Sequence, residues 1–406
     1  MSTGAKRDRQ PADQLPVARI CVDVPLPHLD RPFDYLVPAE FDDGVRPGTR
    51  VRVRFAGQLV GGWVLDRVAV SGHDGRLTFI DKLVSPELVL TGEVARLARA
   101  VADRYAGHLA DVLRLAVPPR HARVEQEASD PALGPGPAVV GADPGPAVVG
   151  ADPVPVVAAA GERDAADQAR SAGSADPVGW SAYPAGPAFL RAVAAGRAAR
   201  AVWAPLPGED WSARYAEVIA AADGAGRGAV VVLPDGRDVD RLDTALRRRL
   251  GAGRHVVLTA ALGPARRYRA FLAASRGQVR VVIGTRAAMF APVAELGLLA
   301  IWDDGDDVHA EPRAPYPHAR EVLLTRAQLA DAAVLLGSFA RSGEAQQLIE
   351  TGWAREIIGA RATIRHRAPL VTPAGDDPQL ARDAGAATAR LPSSRRGRTP
   401  APSTAP

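Results

Sequence analysis

Three arginines alternate with apolar residues in the segment 49–55 and are the first candidates for chemistry. Arg50, Arg52 and Arg54 lie two positions apart, so in a β-strand they occupy one face and the apolar residues occupy the other. A guanidinium group binds phosphate oxygens in a planar, bidentate geometry. The spacing therefore predicts a strand whose polar face either contacts a DNA backbone or is an ordinary solvated surface.

A second group carries side chains of the kinds that bind divalent cations, and consists of Asp303, Asp304, Asp306, Asp307 and His309. A solvated acidic loop has the same composition. We favour that interpretation, so no metal site is predicted. The sequence also lacks the GxSxG and HExxH motifs of hydrolases and metalloproteases, and we assign no catalytic residue.

The composition limits the class of protein. The chain has 406 residues and a net charge of +4, and of its 50 basic residues only Lys6 and Lys82 are lysines, which leaves 48 arginines. This excess reflects either a bias in base composition or an affinity for nucleic acid. The single cysteine, Cys21, excludes an internal disulfide and a multi-cysteine zinc site within this chain. Because the sequence has no apolar run typical of a membrane span or signal peptide, we expect a cytoplasmic protein.

The elements that must position these side chains begin with a small β-rich domain at 16–121. A polar segment at 1–15 precedes it, and we expect that segment to be disordered. The strands of the domain are predicted at 17–24, 49–55, 59–70 and 77–84. A helix follows with Thr91 as its N-cap, and a second short helix ends before Pro118.

A long segment without apolar periodicity separates this domain from the next. Residues 122–180 contain the tandem repeat GPAVVGADP, and we interpret them as a disordered linker rich in Pro, Gly and Ala. From 186 to 359, short apolar strands alternate with amphipathic helices, which is typical of a parallel sheet covered on both faces. These strands are predicted at 200–204, 228–233, 255–260, 279–284, 297–302 and 333–337. The tail at 360–406 is expected to be disordered.

Several motifs are similar to those of one helicase family. The segment VRVVIGTRAAMFAPVAELGLLAIWDDGDD (279–307) resembles the part of PriA-type (primosomal protein N′) superfamily 2 DNA helicases in which a GTRSA-like motif precedes DEEH. Further matches, two to the helicase lobe and two to the family's 3′-DNA-end-binding domain, are YPHAREVLLTRA (316–327), LLGSFA (335–340), VDVPLPHLDRPFDYLVP (22–38) and RVRVRFAGQLVGGWV (50–64). The resemblance covers about residues 16–121 and 186–392.

This resemblance implies an α/β fold in two parts, a β-rich 3′-DNA-end-binding domain and one RecA-like helicase lobe with a parallel sheet. It also implies that Phe33, Asp34 and Tyr35, with Gly57 nearby, line a pocket for the last nucleotide of a DNA 3′ end. An aromatic ring can stack on a base, and a carboxylate can accept a hydrogen bond from the 3′ hydroxyl and repel a phosphate. The alternative is that Phe33 and Tyr35 are core residues.

The resemblance also implies contacts with the DNA backbone on the lobe. Gly284, Thr285 and Arg286 match the motif with which the family contacts DNA from its first lobe. The lysine of the family's 3′-end pocket has no clear counterpart, and Arg76 and Lys82 are the candidates.

At the position of the family's phosphate-binding loop, the residues of this chain differ from the family motif. In a GxxGxGKT loop, backbone N–H groups and the lysine hold the phosphates, and the Ser/Thr holds Mg²⁺. The corresponding residues are Gly208, Glu209, Asp210 and Trp211, with Asp210 at the lysine position and Trp211 at the Ser/Thr position. Two adjacent carboxylates would repel a triphosphate, so we expect a degenerate nucleotide site.

The residues at the position of the family's DEEH motif also differ from that motif. Counted from Gly297, the metal-binding Asp of DEEH becomes Trp302, and Asp303 and Asp304 follow it. A shift of one residue would place Asp303 at the metal-binding position. The phosphate loop would still lack its lysine and its Ser/Thr after that shift.

We therefore expect a PriA-like replication restart or primosome assembly protein that binds branched DNA or DNA 3′ ends, without helicase or ATPase activity. The family uses ATP with Mg²⁺ and zinc, but the zinc ligands are absent from this chain and no cofactor is expected. The expected partners are forked or 3′-ended DNA and primosome proteins, and no membrane. The alternatives are an ATP-dependent 3′–5′ DNA helicase, if the alignment is misplaced, and a protein-docking scaffold that no longer binds DNA. Because the tail loses all α/β character, we also expect a C-terminally truncated or frame-shifted product.

Overall fold

Two β-sheets form the frame of the protein in the computed structural model, which describes residues 9–24, 26–127 and 179–369. In these ranges the first sheet has five antiparallel strands and the second has seven parallel strands. Most of the predicted linker and most of the predicted tail lie outside the described residues. The predicted fold class, a β-rich domain followed by an α/β lobe, is confirmed.

The N-terminal sheet is joined edge to edge by backbone hydrogen bonds of Leu36, and we call it the barrel. Its strands are β1 (Val17–Val22), β2 (Phe33–Leu36), β3 (Arg50–Phe55), β4 (Gln58–Val68) and β5 (Lys82–Ser85). They lie in the order β2-β1-β4-β3-β5, and Leu36 of the edge strand β2 bridges Phe79 just before β5. The two edges of the sheet therefore approach each other. Sequence patterning missed β2, a four-residue strand behind a proline-rich segment.

The strand register separates an inner from an outer face of the barrel. Val51 and Val53 point into the core and are 1% and 0% exposed, which confirms the alternation predicted for β3. On the outer face, Arg52 pairs with Gly61 of β4 on one side and with Lys82 of β5 on the other. Residues directly opposite each other in neighbouring strands project from the same face. These three residues are therefore neighbours on the outside of the barrel.

Helices extend the barrel on one side. They are α1 (Gly92–Arg104), α2 (Leu109–Ala116) and the short α3 (Ala122–Glu125). The Thr91 hydroxyl accepts a hydrogen bond from the Val94 backbone N–H at 3.2 Å, so the predicted N-cap is confirmed. Cys21 lies in the apolar core between β1 and these helices. Burial raises the pKa of the Cys21 thiol to about 12, so the thiol stays protonated and unreactive at neutral pH.

The α/β lobe is a parallel sheet with helices packed against it. Its strands are β6 (Arg200–Trp203), β7 (Gly228–Val232), β8 (His255–Leu258), β9 (Val281–Gly284), β10 (Leu296–Trp302), β11 (Ala333–Gly337) and β12 (Arg355–Ile357). Its helices are α4 (Gly186–Ala194), α5 (Trp211–Gly224), α6 (Gly236–Leu250), α7 (Gly263–Ser275), α8 (Ala319–Ala330) and α9 (Gly343–Glu350).

Within residues 179–360 the strand order is β12-β6-β11-β10-β7-β9-β8. Strands β7, β9 and β11 are buried at every position, which requires cover on both faces of the sheet. The six strands predicted in this region are confirmed, and β12 was not predicted.

The helical side of the barrel packs directly on the lobe. One cluster of buried apolar residues runs through both, from Leu97 and Leu113 to Phe290 and Leu323. Two of the charged pairs across this contact, Arg326–Glu93 and Arg276–Glu87, are each joined by two hydrogen bonds between 2.8 and 3.1 Å long. The two sheets therefore share a core.

Three segments that were expected to be disordered have defined structure. Residues 9–15 lie against the barrel, where Ala12 is buried and its N–H donates to a barrel carbonyl. Residues 122–127 contain α3, whose Glu125 carboxylate accepts a hydrogen bond from the lobe. The lobe begins before residue 186, with a 3₁₀ turn at Gly179–Ala182. Contacts with distant residues order these segments, and the local sequence does not signal them.

A second unit begins at Arg361, and its described part contains helix α10 (Arg361–Arg367). The expectation of disorder is wrong for this short segment, in which three of the seven residues are Arg, a residue that favours helix. Among the described residues, no helix is both long enough and apolar enough to cross a membrane.

Candidate functional site

The predicted DNA-end residues lie at an edge of the barrel formed by β2 and the β3–β4 turn. Phe33 at the start of β2 packs on Phe55 at the end of β3, edge to face, with ring centroids 4.8 Å apart. Phe55 leads into the two-residue turn Ala56–Gly57, where both φ angles are positive, at 48° and 82°. No described atom lies within 4 Å of the position that a Gly57 Cβ would take. Phe33 thus packs on the residue that leads into an open glycine turn.

Tyr35 does not share this open surface. Its side chain is 4% exposed and lies in the barrel core. The hydroxyl donates a hydrogen bond to the Arg54 backbone carbonyl at 3.1 Å, and burial raises its pKa above the ordinary tyrosine value. The ring cannot stack on a base without opening the barrel. For Tyr35 the core-residue alternative is therefore correct, because it lies deeper along β2 than Phe33.

Asp34 points to the face of β2 opposite to Phe33 and Tyr35. Its Oδ2 accepts a hydrogen bond from the Ser71 hydroxyl at 2.5 Å, and that hydroxyl accepts one from the His73 backbone N–H at 2.9 Å. Among the described residues, Asp34 Oδ1 has no hydrogen-bond donor. Ser71 therefore orients the carboxylate and leaves one oxygen available. Sequence reasoning missed Ser71, which is 37 residues from Asp34 and part of no recognisable motif.

Arg50 is not part of an exposed arginine face. Its guanidinium donates to the Pro118 carbonyl, and burial lowers its pKa below the ordinary arginine value. The prediction fails for this residue because the segment after α2 covers that end of β3. Arg52 and Arg54 are exposed, and the Arg54 side chain, 65% exposed, faces Asp81 with an N···O distance of 3.7 Å.

The outer face next to Gly61 carries the cations Arg52 and Lys82, and also Asp23, which pairs with Arg114 and whose Oδ2 lies 3.9 Å from the position of a Gly61 Cβ. No described residue forms an ion pair or hydrogen bond with the side chain of Arg52 or of Lys82, and both are exposed. Gly61 lies opposite Arg52 and has no side chain to shield it. Free cations on neighbouring strands suit a phosphate backbone. Two residues are candidates for the counterpart of the family's pocket lysine. Lys82 lies on this face, and Arg76 lies in the loop before β5.

The predicted phosphate loop lies between β6 and α5, at the carboxyl edge of the parallel sheet, where α/β folds bind their ligands. Asp210, at the lysine position, is the N-cap of α5. Its carboxylate accepts hydrogen bonds from the backbone N–H groups of Ser212 and Ala213 at 3.1 and 3.3 Å. The neighbouring Glu209 accepts a hydrogen bond from the Tyr183 hydroxyl at 2.9 Å. A carboxylate thus occupies the helix N-terminus that a phosphate would otherwise use.

Two tryptophans fill the space behind this loop. Trp211 and Trp302 stack with ring centroids 4.4 Å apart and planes 10° from parallel, and they are 1% and 4% exposed. Trp203, at the end of β6, packs on Trp302 from another side at 6.3 Å. Gly208, with a φ of 73°, makes the turn before them. From the sequence, Trp211 and Trp302 were identified as residues that differ from the family's two nucleotide-site motifs. Their contact with each other was not predicted.

Asp304 is buried, contrary to the expectation of a solvated loop. Its Oδ2 accepts hydrogen bonds from the Arg320 guanidinium at 3.0 Å and from the Ser342 hydroxyl at 2.7 Å. His309 is also fully buried. The expectation is wrong for these two residues because the loop folds back onto the lobe. Asp303 has a φ of 53°, and burial is the main cause of its raised pKa.

The motif Gly284, Thr285 and Arg286 begins at the last residue of β9, at the same carboxyl edge. A Cβ at Gly284 would lie 1.9 Å from the Leu258 carbonyl oxygen, so the close approach of β8 requires glycine. The Arg286 guanidinium pairs with Glu311 at 3.2 Å. In the described ranges, no group of three or more His, Cys, Asp or Glu side chains is arranged to hold a metal ion.

Comparison with known proteins finds one matching family model and several similar proteins. The sequence model of the PriA 3′ DNA-binding domain (3′BD) matches residues 19–118, which form the barrel, α1 and α2. The probable replication restart protein PriA of Mycobacterium tuberculosis is 50% identical over 371 residues, which are 91% of this chain and 51% of that protein. The corresponding protein of Mycobacterium leprae is 48% identical over 370 residues, 91% of this chain and 52% of its own.

A more distant relative shares less of the chain. The replication restart protein PriA of Bacillus subtilis is 27% identical over 142 residues, 35% of this chain and 17% of that protein. The chain spans about half the length of the mycobacterial proteins that it matches. With a match to the 3′ DNA-binding domain near its N-terminus and 48–50% identity along nine-tenths of its length, the chain is similar to the PriA replication restart proteins of mycobacteria.

Proposed function

We propose that the chain acts in replication restart by binding branched DNA or DNA 3′ ends through the barrel, and that its α/β lobe does not work as an ATP-driven motor. The observation that carries the DNA-end proposal is the packing of Phe33 on Phe55, the residue that leads into the open Ala56–Gly57 turn. Asp34, held by Ser71 on the opposite face of β2, supplies a carboxylate oxygen for a 3′ hydroxyl. The basic face with Arg52 and Lys82 would follow the DNA backbone.

The absence of a motor is supported by the residues at the phosphate-loop position. The Asp210 carboxylate caps α5, so a phosphate would meet a negative charge where a motor presents free N–H groups and a lysine. The stacked Trp211 and Trp302 offer no oxygen ligand to Mg²⁺. No cofactor is therefore proposed.

Titration of the protein with a fluorescent ATP analogue in the presence of Mg²⁺ tests this part of the proposal. We expect no saturable binding in the micromolar range and no ATP hydrolysis when forked DNA is added. Micromolar affinity, or hydrolysis stimulated by DNA, would contradict it and would favour the alternative of a 3′–5′ helicase.

The Asp34→Ala variant tests recognition of the DNA end. Since a hydrogen bond to a charged group contributes about 1.5–3 kcal/mol, we expect the variant to bind 3′-hydroxyl DNA about tenfold or more weakly. Its affinity for the same DNA with a 3′ phosphate should stay unchanged or rise. Fluorescence anisotropy with forked DNA measures both. The Asp66→Ala variant removes a charge from an exposed position of β4 and should retain the preference.

A protein-docking scaffold that no longer binds DNA is the second candidate function. In that case the wild-type protein would bind neither forked nor single-stranded DNA at physiological salt. We further propose primosome proteins as partners and the cytoplasm as the location, since both follow from a role in replication restart.

A further inference from the structure

One arginine of the barrel domain lies directly over the aromatic ring that is proposed to stack on the last DNA base. The Arg31 Cζ atom is 5.2 Å from the centroid of the Phe33 ring, which is within the range of a cation–π contact. Phe33 is only partly exposed, because it also packs on Phe55 and against the barrel core. A base that stacks on this ring therefore meets Arg31.

The charge of Arg31 is not balanced within the described part of the chain. The residue is exposed, and no described residue forms a hydrogen bond or an ion pair with its side chain. The neighbouring Asp30 has both carboxylate oxygens engaged, since Oδ1 accepts from the Leu109 backbone N–H and Oδ2 accepts from the Arg99 guanidinium, each at 2.8 Å. The N–H donors of the Arg31 guanidinium are therefore free for a ligand.

The surroundings leave the Arg31 side chain room to move. It borders an apolar cavity of about 260 Å³ next to β1, α1 and α2, whose wall includes Leu26, Leu29 and Leu109. A cation–π contact at an exposed position is weak. Arg31 can therefore leave the ring at little cost, and its long side chain keeps the guanidinium near Phe33 after it has left.

The terminal nucleotide of a DNA strand brings one anion to this place. If the strand end binds as proposed, its base lies on Phe33 and its 3′ hydroxyl lies at Asp34. Its 3′ side then carries no phosphate, so the remaining charge is the phosphate on its 5′ side. A guanidinium binds a phosphate through two parallel N–H donors. A base that takes the place of Arg31 on the ring thus brings the last phosphate of the strand to a free arginine.

We propose that Arg31 binds the last internucleotide phosphate of a DNA strand whose terminal base stacks on Phe33. In the DNA-free protein the guanidinium covers the ring, and in the complex it pairs with the phosphate. The inference rests on the proposed recognition of the DNA end and adds a residue that the sequence resemblance did not assign. The site would then read three parts of one nucleotide, the base through Phe33, the 3′ hydroxyl through Asp34 and the 5′ phosphate through Arg31.

Two forked DNAs test this contact. One is natural, and the other has an uncharged methylphosphonate in place of the last phosphate of its 3′-ended strand, while both keep the 3′ hydroxyl. Anisotropy measures their affinities for the wild type, for Arg31→Ala and Arg31→Lys, and for the control Arg248→Ala. Arg248 lies at an exposed position of α6 in the lobe, and its side chain has no hydrogen bond or ion pair among the described residues.

The wild type and Arg248→Ala should bind the methylphosphonate DNA about fivefold more weakly than the natural DNA, which is the upper end for an exposed ion pair. Arg31→Ala should bind both DNAs equally, and as weakly as the wild type binds the methylphosphonate. Arg31→Lys should keep part of the difference, because lysine retains the charge but loses the planar pair of donors. The melting temperature of Arg31→Ala should equal that of the wild type, since the lost charge is unpaired.

A fluorescent 2-aminopurine as the terminal base separates the phosphate contact from stacking. Its emission falls when it stacks on an aromatic ring, so we expect the same quenching in the wild type and in Arg31→Ala, and less quenching in Phe33→Ala. Quenching that disappears in Arg31→Ala would show that the guanidinium is itself the stacking surface, and would overturn the proposal.

The comparison of the two DNAs also distinguishes failure of this inference from failure of end recognition. If the wild type prefers a 3′ hydroxyl to a 3′ phosphate, but Arg31→Ala loses as much affinity on the methylphosphonate DNA as the wild type does, the role of Arg31 is rejected and end recognition stands. The same conclusion follows if the methylphosphonate has no effect on the wild type. A wild type that binds both 3′ termini equally rejects end recognition and, with it, the role of Arg31.

Discussion

Replacing Arg326 by methionine is expected to lower the free energy of unfolding by about 3–5 kcal/mol, because the change breaks a buried ion pair from one side. The Arg326 side chain is fully buried between the barrel domain and the lobe. It donates two hydrogen bonds to the Glu93 carboxylate and one each to the backbone carbonyls of Met289 and Ala291. Methionine fills much of the space but leaves these four acceptors without a donor.

Urea denaturation monitored by tryptophan fluorescence measures the loss. The Arg104→Met variant is the control, since Arg104 joins the same two domains through Glu321 but its side chain is 55% exposed. An exposed pair contributes about 0–1 kcal/mol, so this variant should unfold almost as the wild type does. Equal losses in the two variants would show that the Arg326–Glu93 pair does not hold the contact. A separate unfolding step for the barrel in Arg326→Met would instead show that this pair couples the domains.

Replacing Trp211 by alanine is expected to cost about 3–5 kcal/mol, the range for removing a buried aromatic side chain. Trp211 is 1% exposed, stacks on Trp302 and also contacts Tyr215 edge to face at 5.7 Å. The cavity would open at the phosphate-loop position. No nucleotide affinity should appear, since Asp210 still caps α5.

The control for this variant is Trp353→Ala. Trp353 is only partly buried, and the Arg200 guanidinium covers its ring at 4.4 Å. Its loss should cost clearly less, because a partly exposed ring leaves a smaller cavity. Thermal denaturation of both variants gives the comparison. A small loss in Trp211→Ala would mean that the tryptophan pair is not part of the core. Micromolar binding of ATP in the variant would mean that the indole alone had blocked the site.

The sequence predicted the features that follow from local periodicity. Alternation in β3 placed Val51 and Val53 in the core, and the Thr91 cap marked the start of α1. Alternation also placed the arginines of β3 on one face, but it could not show that the chain after α2 covers Arg50. Periodicity assigns a side chain to a face and does not identify what packs against that face.

The remaining features depend on contacts between distant residues. Arg326 and Glu93 are 233 positions apart, and no pattern near either residue predicts their pairing. The burial of Asp304 depends on Arg320, which follows 16 residues later on α8. The resemblance grouped Phe33, Asp34 and Tyr35 in one pocket. The geometry of β2 separates them onto two faces, so Phe33 is the residue that can stack.

The DNA-end proposal is tested most directly by the ratio of two dissociation constants. They are measured by anisotropy for two forked DNAs that differ only in having a 3′ hydroxyl or a 3′ phosphate, with and without Mg²⁺ and ATP. We predict a preference of about tenfold or more for the 3′ hydroxyl, equivalent to about 1.4 kcal/mol, and the same ratio when ATP is present. A ratio of one, or a ratio that changes with ATP, would contradict the proposal.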